Sequence, residues 1–286
     1  MTDAVEKLFA VLGMLANAGK DTVFKVAAGE EGGSQTTLFY AVKGAFIAIM
    51  ALFILGVVQR QPLIHGPTLP WAVPIGVIAF VTYTLALRSL VSSDASVGIT
   101  VFRLNFVLSS AFAALFMGEG LTARKVIGLC LSLGAVLVFF AGSRGTDRGT
   151  RNHGILLAFL ACLCGAALNI LNKVALNAGA SILHLIMYRY IVVCALGGIL
   201  LAAQGQSAIP TRRLLVTSSA CAVLMLASLL FLLTALSAGE VTVIIPISQL
   251  SFLFTALLSF LFLREKLNLA KIVGIVVAFA SIAVLG

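Results

Sequence analysis

The chain writes one turn twice. Gly118-Glu119-Gly120-Leu121-Thr122-Ala123-Arg124-Lys125-Val126-Ile127-Gly128 returns, altered, as Arg264-Glu265-Lys266-Leu267-Asn268-Leu269-Ala270-Lys271-Ile272-Val273-Gly274. Glu119 and Glu265, Leu121 and Leu267, Lys125 and Lys271, and Gly128 and Gly274 all keep an offset of 146, close to half of the 286 residues. A fixed offset of that size means one unit repeated, so the fold must be built from two like halves. At the same offset Lys43 meets Arg189, Asp94 meets Glu240, Arg103 meets Gln249 and Phe106 meets Phe252. Before the connection at 29–35 the offset becomes 148, which aligns Phe24-Lys25-Val26-Ala27 with Asn172-Lys173-Val174-Ala175.

Each turn joins two apolar stretches, and here composition decides the solvent. With 61% hydrophobic and 10% charged residues, the chain cannot cover a water-facing surface of this size. It reads as an all-α integral membrane protein, because a lipid-exposed segment must satisfy its backbone internally. A span needs roughly 20 apolar residues, and ten are readable: 4–28, 36–58, 70–90, 95–117, 122–142, 153–177, 181–203, 212–236, 240–263 and 268–286. Thr122 and Asn268 stand where helix N-caps would. Gly128 with Ser132, and Gly274 with Ala278, place small residues four apart, the spacing that lets helices approach closely in lipid. Five spans per half is odd, so the second half must enter the membrane upside down. The division falls at 1–148 and 149–286, two inverted five-helix repeats with a substrate site expected between them.

The five cysteines all lie in apolar runs and read as packing residues, with neither a disulfide framework nor a metal cluster. No cofactor is expected. The net charge of +9 is spread over loops and helix ends, which suits membrane lipids and excludes a basic nucleic-acid patch. The first apolar run contains Lys20, Asp21 and Lys25 and does not read as a cleavable signal.

Gly118-Glu119, Leu121, Gly128 and Gly134, echoed by Glu265, Leu267 and Gly274, resemble the EamA-type domain of the drug/metabolite transporter superfamily. Pro246 resembles the proline such domains often carry before the Glu-containing turn. The resemblance covers almost the whole chain. It implies a carrier of small metabolites, in a bacterial cytoplasmic membrane, with termini usually cytoplasmic. Thr100 stands where the first repeat would carry the proline, Arg264 replaces a glycine, and the Trp-Gly of many relatives is missing from the first span. Counting loop Lys and Arg puts the termini on the other side, so orientation is open.

Ionisable groups inside spans are costly and usually face a polar cavity. Lys20 and Asp21 in the first span and Arg103 in the fourth are the deepest, with Gln249 as the repeat partner of Arg103. Lys43 and Arg189 lie seven and eight residues past the starts of their spans; Asn17, Asn169 and Asn172 add neutral polar groups. Tyr188, with Tyr190 and His184, is a candidate lining of a substrate path, and Thr100 and Thr242 are candidate donors. Pro246 is a candidate hinge, since it removes a backbone hydrogen bond. Lys25, Lys173 and Arg88 read as interfacial groups.

Four positive groups against one acid, Asp21, point to an acidic or zwitterionic solute such as an amino acid or organic anion. The leading reading is a secondary transporter, an exporter working by alternating access, as a monomer or homodimer. A flippase for a lipid-linked sugar, or a nucleotide-sugar-like exchanger, is the alternative. An intramembrane enzyme would need paired acids, a zinc motif or a nucleophile with its base at membrane depth, and His65, His153 and His184 are scattered.

Overall fold

The computed structural model describes residues 3–31, 36–92, 95–141, 152–205, 209–263 and 269–285. Asp94, the loop arginines Arg144, Arg148 and Arg151, the second turn from Arg264 to Asn268, and the Lys25 side chain lie outside what is described. The described residues are helical throughout their regular structure. In order they form α1 (Asp3–Glu31), α2 (Thr36–Phe53, continued by a π-turn Ile54–Val58), α3 (Leu69–Ser92), α4 (Ala95–Arg103), α5 (Asn105–Phe116), α6 (Ala123–Ala141), α7 (Asn152–Asn177), α8 (Ile182–Ala203), α9 (Arg212–Ala238), α10 (Val241–Gln249), α11 (Ser251–Leu263) and α12 (Leu269–Leu285).

Among the described residues seven stretches are long and apolar enough to cross a membrane: Thr37–Val58, Gly66–Ser89, Gly98–Phe116, His153–Asn177, Ile182–Ala203, Arg212–Ala238 and Val241–Leu258. The expectation of ten uniform spans is narrowed in this respect. Helix α1 carries Glu6, Lys7, Lys20 and Asp21, α6 opens on Arg124 and Lys125, and α12 has 17 residues.

The halves pack by a rule of exchange. Helix α1 lies on α9 as α7 lies on α3, α2 lies on its counterpart α8, and α6 lies on its counterpart α12. Swapping the halves maps these contacts onto themselves, as a two-fold relation requires. The α6/α12 seam shows it atom by atom. A Cβ on Gly128 would stand 2.5 Å from the Leu285 side chain, and one on Gly274 would stand 2.9 Å from Phe139 Cβ. Phe139 and Leu285 are themselves repeat mates, so each glycine receives the other helix's large side chain. Ser132 and Ser281 close the seam with Oγ atoms 2.6 Å apart, and Ser281 Oγ donates to Gly128 O at 2.9 Å.

The duplicated turn now has a physical reason. Gly118 adopts a left-handed conformation (φ 71°) that ends α5, and the Glu119 N–H reaches back to Ala113 O at 3.3 Å. Only glycine takes that conformation without strain. Glu119 is thereby thrown onto the other half, where its two carboxylate oxygens accept the Val241 and Thr242 N–H groups at 2.8 and 2.9 Å. It caps α10 with charge opposed to the helix dipole. Lys125 donates to Gly120 O at 2.7 Å and pairs with Glu240, the residue preceding α10. Thr122 caps α6, its Oγ1 accepting from Lys125 N–H at 3.4 Å.

One end of the molecule gathers these contacts. There Lys173 donates to the last carbonyls of α9, Leu236 O at 2.8 Å and Gly239 O at 2.9 Å. Arg124 Nε donates to Val284 O at 2.6 Å, and a Cβ on Gly239 would touch Glu6. The α2–α3 connection is tied to the start of α8 at the same end. The His65 and His184 rings stack 5.1 Å apart, and Tyr188 donates to Leu63 O at 2.8 Å. Helix α1 therefore starts at this end and α7 finishes there.

Candidate functional site

Two helices expected as single spans, 95–117 and 240–263, are each interrupted once. The breaks fall at Leu104, between α4 and α5, and at Leu250, between α10 and α11. They are repeat mates at the 146 offset. At each, the ladder tightens to i→i−3 bonds: Leu104 N–H to Val101 O at 3.2 Å, and Leu250 N–H to Ile247 O at 3.1 Å. Polar side chains take the carbonyls this frees. Asn105 Nδ2 donates to Phe102 O at 2.8 Å, and Arg103 Nη1 donates to Gln249 O at 2.8 Å.

The hinge expected at Pro246 and the interruption fall at different residues. Helix α10 runs through Pro246 to Gln249, and the twin break in the first half forms with Thr100 in place of the proline. Both carbonyls are met by side chains of the first half, Phe102 O by Asn105 three residues on and Gln249 O by Arg103 from across the repeat interface.

Around the breaks the two halves interlock. Arg103 reaches Asp21 at 3.6 Å and Ser251 Oγ at 3.4 Å, and its guanidinium carbon stands 5.0 Å from the Phe252 ring centre. Asp21 also pairs with Lys20 at 2.8 Å. Asn17 Nδ2 donates to Ser251 Oγ at 2.8 Å. On the other flank Gln249 Nε2 and Asn169 Nδ2 both donate to Asn105 Oδ1, at 3.1 and 3.2 Å, and Asn169 also donates to Ser109 Oγ at 3.0 Å. Asp21 and Asn169 are repeat mates, as are Arg103 and Gln249, and Asn105 and Ser251. The same polar framework is thus charged where the first half supplies it and neutral where the second does.

A second group lies where α2 meets α8. Lys43 is buried, with Nζ 4.0 Å from the centre of the Tyr40 ring, 5.7 Å from Tyr83 and 5.9 Å from Phe39. The Tyr40 and Tyr83 rings stack at 5.9 Å. Arg189, 1% exposed, donates through Nη2 to Asn172 Oδ1, while its Nε has no hydrogen-bond partner. Among the described residues no carboxylate pairs with Lys43 or Arg189.

The expected residues thus separate. Asn17, Lys20, Asp21, Arg103, Asn169 and Gln249 meet at the breaks; Asn172 and Arg189 pair with each other, and Lys43 lies against Tyr40, Tyr83 and Phe39. Tyr188 belongs to neither, since its hydroxyl holds the α2–α3 connection and also accepts the His65 N–H at 3.1 Å. Lys173 caps α9 in place of a free interfacial role. Sequence reasoning missed Asn105 and Ser251, although they follow Arg103 and Gln249 by two residues and share their offset. It also missed Tyr40 and Tyr83, which no motif marks.

Long apolar helices surrounding ionised and amide side chains define an all-helical, multi-pass membrane protein. The chain belongs to the EamA-like transporter family, which matches residues 6–141 and again 152–286. It is therefore a membrane transporter of small molecules. A solved protein crystal structure shares its fold with a TM-score of 0.81 over 99% of this chain and 95% of that one, at 16% identity. No curated protein matches the sequence.

Proposed function

We propose that the protein is a secondary carrier that exports a small acidic or zwitterionic metabolite, an amino acid or organic anion, across a bacterial cytoplasmic membrane. Its ten helical rods, counting α4/α5 and α10/α11 as one each, cross the membrane as two inverted halves, 1–148 and 149–286. The inversion is supported by α1 starting, and α7 finishing, at the end that carries the Glu119 cap. Transport proceeds by alternating access, the halves rocking about the polar contacts they share. Interrupted helices suit this role, because irregular backbone at membrane depth is tolerated where side chains or solute satisfy it.

The observation that carries the reading is electrostatic. Lys20, Lys43, Arg103 and Arg189 stand inside the bundle against one acid, Asp21. Even by the lower scales a Lys or Arg at membrane depth costs about 2.5–3.5 kcal/mol, so the excess positive charge favours an incoming anion over a cation. The test is uptake into proteoliposomes of amino acids, organic acids, sugar phosphates and quaternary amines. Saturable uptake of acids or zwitterions is expected; selective uptake of the amines would overturn the assignment.

A further inference from the structure

The exchange of halves that maps the packing onto itself fails at the interrupted rods. Rod α4/α5 is the repeat mate of rod α10/α11, so α4 corresponds to α10 and α5 to α11. Most of their contacts obey the exchange: α4 lies on α3, α6 and α7 as α10 lies on α9, α12 and α1, and α5 lies on α7 as α11 lies on α1. The main departure is the seam between the rods. Helix α10 packs along α5 and also reaches α6. Among the described residues, α4 packs along neither α11 nor α12, and it meets α11 at the break, through Arg103 and Ser251.

Burial departs in the same direction. Ile244, Ile245, Pro246 and Ile247 are all buried, and four consecutive residues point all round a helix. Of their mates Gly98, Ile99, Thr100 and Val101, Gly98 alone is buried. Ser109 and Ser110 on α5 are buried, while their mates Thr255 and Ala256 on α11 are half-exposed. Arg103 ends the uncovered α4 with Asp21 and Lys20 beside it, and their side chains are 13, 26 and 19% exposed. The covered pair is fastened across the halves by Glu119 on Val241 and Thr242 and by Lys125 on Glu240. Yet Ser110 Oγ and Thr242 Oγ1, on α5 and α10, are buried without a hydrogen-bond partner, a cost that hydration would relieve if the seam parted.

Resting on the carrier reading above, we propose that the protein stands open at its α4/α11 end and shut at its α5/α10 end, with Glu119 as the latch. Solute reaches Arg103 between α4 and α11. Transport requires the latch to release, so that α5 parts from α10 about the breaks at Leu104 and Leu250 while α11 closes on α4.

Single cysteines in a background free of the five native ones test this without any solute. The purified full chain is held in lipid nanodiscs, where both ends meet the buffer, and treated with a charged, water-soluble methanethiosulfonate. The fastest of Ile99→Cys, Thr100→Cys and Val101→Cys, and the faster of Thr255→Cys and Ala256→Cys, are expected to react about 10- to 1,000-fold faster than Ile245→Cys, Ile247→Cys, Ser109→Cys and Ser110→Cys. That range corresponds to an alternative state populated at about 0.1–10%. Adding Glu119→Ala should raise the rates at Ile247→Cys and Ser110→Cys together, about tenfold, because the seam opens as a unit. Ser132→Cys, in the α6/α12 seam, should stay unreactive. If the alanine variant fails to fold, Glu119→Gln should give the same change with a smaller factor. Equal rates at repeat mates, or no reaction on α4 and α11, would overturn the asymmetry. A rise confined to Thr242→Cys, beside the cap, would show local fraying and overturn the latch. Neither result touches the solute class, which the uptake panel decides, and a cationic solute would leave the asymmetry standing.

Discussion

Replacing Glu119 with alanine removes both acceptors of the α10 N-terminus at once. The two bonds, 2.8 and 2.9 Å to Val241 and Thr242, are charge-assisted, and such bonds contribute about 1.5–3 kcal/mol each when fully buried. Glu119 is half-buried, so water recovers part of the loss, and helix caps in comparable settings contribute about 0.5–2 kcal/mol. Loss of the charge against the helix dipole adds about 0.3–1 kcal/mol. Together the expected cost is about 1.5–3 kcal/mol, or about 3–10 °C in melting temperature for a chain of this size. Glu119→Gln keeps one carbonyl oxygen and should lose about half as much. The assay is thermal unfolding of the purified protein in one detergent, with retention of helical signal checked first. If the alanine variant melts within about 1 °C of wild type, or the two variants fall equally, Glu119 does not cap α10 and the reason given for the repeated turn is wrong.

Other outcomes follow from the same contacts. Gly274→Ala should destabilise more than Gly128→Ala, by about 1–2 kcal/mol measured as unfolding midpoints, because its Cβ meets Phe139 backbone as well as side chain, whereas Leu285 can rotate away near the C-terminus. Arg103→Gln should lower the melting temperature, at a cost of about 2–4 kcal/mol, since Asp21 loses one cation and Gln249 O its donor; unchanged melting with abolished transport would return Arg103 to direct solute contact. Tyr188→Phe removes the anchor of the α2–α3 connection, and limited proteolysis at 59–65 should quicken several-fold with little change in transport.

Much of the architecture was legible because a repeat offset is insensitive to the details of packing. Lys43 with Arg189, and Arg103 with Gln249, could be paired before any coordinates, and both pairs fall at the interface of the halves. The seam of Gly128 and Gly274 was legible for the same reason: small residues four apart have one main use in lipid. The breaks at Leu104 and Leu250 were not, because hydropathy sees two uninterrupted apolar runs. Pro246 marks a lost bond without showing where the ladder tightens. The role of Glu119 was hidden because its partners are backbone N–H groups, which no side-chain pattern records. Which partner each cation finds, Asp21 for Arg103, Asn172 for Arg189 and aromatic faces for Lys43, depends on three-dimensional pairing, and depth along a span does not reveal it.

That the second half is the first turned over can be tested with two residues. Leu63 and Ile209 are both exposed and are repeat mates, in the α2–α3 and α8–α9 connections. In a background free of the five native cysteines, Leu63→Cys, Ile209→Cys and Gly120→Cys are labelled with an impermeant maleimide in intact cells and in inverted vesicles. Inverted halves require Leu63→Cys and Ile209→Cys to label from opposite sides, with Gly120→Cys on the side of Leu63→Cys. Labelling of Leu63→Cys and Ile209→Cys from the same side would contradict inversion, and with it the carrier built on two opposed halves.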